Sequence, residues 1–102
     1  MKMSLKKILA KITTSMKNTV IVEQITGSSV TANAGATVGS SFNTQKSGYS
    51  FAGIVGYDLG YGGMHMVSTV INATGFTLWM TNNSSTSHIV TPIARVLFVK
   101  NL

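Results

Sequence analysis

Residues 75–81 read Gly75-Phe76-Thr77-Leu78-Trp79-Met80-Thr81, and this stretch decides the fold class. Its side chains alternate with the two-residue period of a β-strand that is buried on one face. Phe76, Leu78 and Met80 share one face and form the natural core set. Thr77, Trp79 and Thr81 share the other, so Trp79 is expected to point outward. Downstream, Ile93, Arg95, Leu97 and Val99 alternate with Ala94, Val96, Phe98 and Lys100. Both faces of that segment are largely apolar, as in a central strand covered on two sides, or on one side by a neighbouring subunit.

Working outward, Val, Ile, Thr, Ser, Gly and Asn dominate from Asn18 onward, and turn signals recur at the spacing of a sandwich or barrel. Strands are predicted at Thr19–Ile25, Ser29–Ala32, Thr37–Phe42, Ser50–Leu59, Met64–Asn72, Gly75–Thr81 and Ile89–Lys100. Pro92 has no amide proton and belongs near a strand start or bulge. The expected architecture is all-β: a small antiparallel β-sandwich of six or seven strands, spanning residues 18–102.

Residues 1–17 follow a different period. Leu5, Ile8, Leu9, Ile12 and Met16 fall on one face of a helix, with Ser4 as its N-cap. A helix this short is marginal alone. It is read as an amphipathic oligomerisation neck whose apolar stripe packs against copies of itself. The segment carries +5 of the chain's net +6 charge, so the pI near 10 describes the neck and not the body. Lysines opposite Leu and Ile also suit a membrane surface, the main rival for this helix, although no Trp or Phe marks the interface. Lys11 cuts the apolar run Ile8-Leu9-Ala10 to three residues, too short for a signal peptide.

Only 10% of the 102 residues are charged, against about 25% in an ordinary soluble domain. Such a chain leaves neutral or apolar surface exposed, which favours self-association. There is no cysteine, hence no disulfide or thiolate metal site. The acids are Glu23 and Asp58 and the histidines His65 and His88, which leaves catalysis without its usual groups. Neither metal-ligand spacing nor any cofactor motif is present, and His65 is read as a partly packed strand residue between Met64 and Met66. Arginine is almost absent and no basic aromatic platform exists, so no specific nucleic-acid site is expected.

The richest stretch for ligand contact runs from Gly56 to His65. Tyr57 and Tyr61 supply flat rings, Asp58 a charged acceptor and His65 a titratable group. Outward Trp79 and the amides Asn82 and Asn83 complete the candidate ligand-binding set. Residues of these types suit sugar hydroxyls and C–H faces. The alternative is an ordinary Gly-rich hairpin, with Tyr57 in the core and Asp58 satisfying turn amides.

Two stretches carry a family resemblance. Ser47-Gly48-Tyr49-Ser50-Phe51-Ala52-Gly53-Ile54-Val55-Gly56-Tyr57 resembles the "GY…GIVGY" segment near the C-terminus of structural and tail proteins of phages and prophages of Gram-positive bacteria. Val70-Ile71-Asn72-Ala73-Thr74-Gly75-Phe76-Thr77-Leu78, with Ala94-Arg95-Val96-Leu97-Phe98-Val99-Lys100, resembles the end of the same domains and, more loosely, H-type lectin-like sandwiches. The resemblance implies a homotrimer behind a helical neck, placed in the virion at the tail tip or baseplate after assembly in the bacterial cytoplasm. It also implies a receptor-binding role toward host cell-surface carbohydrate. A purely structural module that trimerises or caps a tail fibre is the rival from a different class.

Overall fold

The computed structural model describes residues 4–7 and 19–102. Residues 5–7 are helical, and the Lys7 amide donates to Ser4 Oγ at 3.3 Å, the N-cap bond expected of Ser4. Leu5 is exposed. Ile8, Leu9, Ile12 and Met16, the rest of the expected seam, lie outside the described residues.

The body is all-β and antiparallel. Eight strands run in chain order: β1 Val20–Thr26, β2 Val30–Ala32, β3 Thr37–Asn43, β4 Tyr49–Asp58, β5 Met64–Asn72, β6 Gly75–Asn82, β7 His88–Val90 and β8 Ile93–Lys100. They form one sheet ordered β1-β8-β4, another ordered β3-β6-β5, and a two-stranded ribbon β2-β7. One more strand is present than the sequence suggested, because the expected Ile89–Lys100 strand breaks at Thr91-Pro92. Proline cannot donate to a ladder, and here its buried ring ends β7 and opens β8.

Opposite that break, β1 also stops. Gly27 faces Pro92, and its N–H donates to the Pro92 carbonyl at 2.8 Å. The β1-β8 ladder and the β2-β7 ladder are therefore one long ribbon, bent at a shared corner. Beyond the bend, Ser28 bonds across to β3. Its N–H donates to the Ser41 carbonyl at 3.0 Å, and its carbonyl accepts from Ser40 Oγ at 2.7 Å. A Cβ on Gly27 would stand 2.5 Å from the Phe42 ring, so the corner admits only glycine.

The two three-stranded sheets face each other across the core. Phe76, Leu78 and Met80 from β6 and Ala94 and Val96 from β8 are fully buried, with Phe42 and Phe98 nearly so. Phe76, Leu78 and Met80 are the core set that alternation indicated. Phe76 stacks on Phe42 of its own sheet, ring centres 4.7 Å apart, and on Phe51 of the facing sheet at 5.6 Å. Aromatic stacking at such distances adds about 1 kcal/mol per pair beyond area burial. β8 is the central strand of its sheet, with β1 on one side and β4 on the other; its inner face lies in the core, and its outer face carries half-buried Leu97 and Val99.

The outer face of the β1-β8-β4 sheet is apolar toward one end and polar toward the other, where exposed Gln24 pairs with exposed Arg95. Val20 and Val22 of β1 are exposed at the apolar end, beside half-buried Leu97 and Val99, and Val55 of β4 is also exposed. Val55 is the extra residue of a β-bulge, since Ile54 pairs with Val96 and Gly56 with Arg95.

Two glycines give opposite expectations. A Cβ on buried Gly75 would lie 1.8 Å from the Phe42 carbonyl oxygen, whereas one on Gly53 meets nothing within 4 Å. Gly75→Ala is expected to cost about 3 kcal/mol in urea unfolding, as a backbone clash that must be relieved by strand movement. Gly53→Ala is expected to stay within about 0.5 kcal/mol of the parent.

Candidate functional site

The seven candidate ligand residues do not form one surface. Asn82 leaves the set altogether. Its side chain is fully buried at the end of β6, with Nδ2 donating to the carbonyls of Ala32 (2.9 Å) and Thr86 (2.8 Å). Its Oδ1 accepts from the Ser84 N–H at 2.9 Å and the Ser84 hydroxyl at 2.7 Å. Every hydrogen bond this amide can make is directed inward, tying β2 to the 83–87 turn. It is structural, because a buried amide so occupied has nothing left for a ligand.

Trp79, His65 and Asn83 lie on the outside of the β3-β6-β5 sheet. Trp79 is 39% exposed and crosses its partner Gly39, whose Cβ would meet the indole ring at 3.1 Å. The missing side chain lets the ring lie against the strand. Around it the face is mixed, with exposed Val70 paired to Thr77 and hydroxyls elsewhere. Thr77 and Thr81 flank Trp79 along β6, Ser68 pairs with it from β5, and Thr37 Oγ1 shares a 2.7 Å hydrogen bond with Thr81 Oγ1. His65 pairs with Thr81 and is exposed, more open than the partly packed position expected of it. The reason is its odd register: Met64 takes the inward place and is buried, which turns His65 out. Asn83 continues the line beyond the strand end, anchored by its N–H to the Gly63 carbonyl at 2.9 Å.

Tyr57 and Asp58 sit on the other sheet, at the end of β4. With Gly56 they pair with Arg95, Ala94 and Ile93 of β8, and these six residues line a groove of about 300 Å³. Tyr57 is 52% exposed and outside the core. Asp58 Oδ1 accepts from the Gly60 N–H at 2.8 Å, a turn of the Asx kind. Gly60 adopts a positive φ of 86° there, over the Thr91 backbone. Arg95 was not among the candidates. It is the sole arginine of the chain, in a strand otherwise apolar up to its terminal Lys100, which is a usable signal. Its relation to Asp58 was hidden, since that depends on register across a bulge.

Tyr61 belongs to a third place. Its ring stacks on His88 of β7 with centres 3.8 Å apart, and His88 Nε2 lies 2.8 Å from Thr86 Oγ1. A Cβ on Gly63 would strike the Tyr61 ring at 2.4 Å, so the stack also fixes that loop.

The remaining acid, Glu23, pairs with Lys46 at 2.8 Å, and Lys46 also lies over the Tyr49 ring, 5.4 Å from its centre. Glu23 and Asp58 stand on opposite edge strands of one sheet with β8 between them. Among the described residues, no three His, Asp or Glu side chains gather where a metal ion would fit. Compared with family models, curated proteins and solved structures, the chain matches none.

The contrast between adjacent asparagines is directly measurable. Asn82→Ala is expected to cost about 3 kcal/mol, from stranded carbonyls and an unanchored turn, read as a lower urea midpoint. Asn83→Ala is expected to move the midpoint by less than about 0.5 kcal/mol equivalent.

Proposed function

We propose that this chain is a non-catalytic carbohydrate-binding module of a phage or prophage tail tip, acting as a homotrimer. One observation carries the binding part: the exposed Trp79 ring laid over Gly39, flanked by the hydroxyl residues Thr77, Thr81 and Ser68. An aromatic face flanked by hydrogen-bonding groups suits the C–H face and the hydroxyls of a sugar. Thr77, Thr81, Ser68, His65 and Asn83 are the polar groups within reach of a chain laid across that sheet. A flat platform favours an extended glycan over a compact ligand. The resemblance of residues 47–57 and of the C-terminal strands to tail proteins supplies the setting.

Self-association has its own support. Exposed Val20 and Val22 of β1, paired with Val99 and Leu97, make an apolar patch at the β1 edge of the sheet, and a neighbouring subunit seated on that edge would cover it and leave the β4 side open. The same valines favour the second reading, a purely structural module whose β-domain only trimerises or caps an attached shaft. Binding data separate the two.

Isothermal titration against solubilised wall polysaccharide of a Gram-positive host is expected to give saturable binding. Trp79→Ala is expected to lower affinity at least about tenfold, or about 1.4 kcal/mol, while Trp79→Phe retains most of it. Binding unchanged in Trp79→Ala removes the platform, and no binding by the parent chain leaves the structural module. Light scattering is expected to report a trimer that Val22→Lys dissociates; a monomeric parent mass would overturn the assembly.

A further inference from the structure

The groove between β4 and β8 has no part in the Trp79 platform, since it opens on the opposite sheet. Its composition is distinctive. Arg95 meets no carboxylate among the described residues, although Asp58 lines the same groove. Asp58 is held in place by the Gly60 N–H at Oδ1, and its Oδ2 accepts no hydrogen bond from the described residues. Between them, Gly56 pairs with Arg95 and contributes no side chain, so the strand backbone forms an open floor. Tyr57 supplies an exposed ring at the rim.

A guanidinium and a carboxylate that line one groove without forming an ion pair with each other define a ligand by its charges. The guanidinium offers a planar fork of donors to a carboxylate. Asp58 offers an acceptor to a hydroxyl and repels an anion placed beside it. An uncharged sugar leaves Arg95 without an ionic partner; a simple anion leaves Asp58 without a donor. We propose that this groove binds a single acidic sugar residue, with its carboxylate on Arg95 and a ring hydroxyl on Asp58. A volume of about 300 Å³ is at the lower end of small-molecule sites and fits one ring.

The test uses amide chemical shifts of the full chain during titration with a glucuronate disaccharide, a neutral glucose disaccharide and glycerol 3-phosphate. The glucuronate probe is expected to move Gly56, Asp58 and Arg95, more weakly as salt is raised. Arg95→Gln is expected to reduce that affinity at least tenfold. Gly56→Leu is expected to block it with the rest of the spectrum unchanged, because a Cβ at Gly56 meets nothing within 4 Å. Trp79→Ala is expected to leave the groove titration as it was, so this site and the platform succeed or fail separately. Equal shifts at the groove from the neutral disaccharide would overturn the proposal. So would glycerol 3-phosphate binding in place of glucuronate, or glucuronate affinity indifferent to both Arg95→Gln and Gly56→Leu.

Discussion

The hydrogen bond from the Gly27 N–H to the Pro92 carbonyl marks the constraint on which the rest of the molecule depends. Without a bend, residues 20–32 and 88–100 would form a straight two-stranded ribbon with one apolar face and nothing to cover it. Isolated ribbons of that kind are marginal in water. The corner carries the ribbon from the β1-β8-β4 sheet to the edge of the β3-β6-β5 sheet, so that Phe98 and Val96 meet Phe76 and Leu78. Proline ends one strand by lacking a donor, and glycine opposite it lets the Phe42 ring approach. Each residue does at the corner what no other type does as well.

That bend also distributes the chemistry. Core packing takes the inward alternation of β4, β6 and β8 and leaves their outward residues as separate collections on opposite sides. Trp79 with its hydroxyls falls to one sheet and Arg95 with Asp58 to the other. Tyr61, which the sequence places between them, is claimed by His88. Residues close in sequence, such as Tyr57, Tyr61 and His65, are thus divided among three surroundings. Each is polar for a different reason: a groove, a locked loop and an open sheet face.

Strand identity was legible wherever one rule governed a residue. Alternation put Phe76, Leu78 and Met80 inside and Trp79 outside, and the apolar double face of β8 marked a central strand. The break at Pro92 was legible as a feature but not as a corner, because the partner Gly27 lies far away in sequence. The structural role of Asn82 was not legible for a physical reason: in the run Asn82-Asn83-Ser84-Ser85 an amide looks solvated, and only the fold reveals that four polar groups converge on it. Arg95 escaped notice because its meaning comes from register. A bulge at Val55 shifts Gly56 opposite it, and no local pattern announces a bulge.

Gly56 has a consequence for how such a protein changes over generations. At most buried glycines here, substitution trades stability for anything gained. Gly56 faces open space on a finished strand, so a new side chain there alters what the groove admits without taxing the fold. Under the proposed groove binding, selection at Gly56 acts on recognition with little effect on stability, whereas at the Gly27 corner any side chain meets the Phe42 ring.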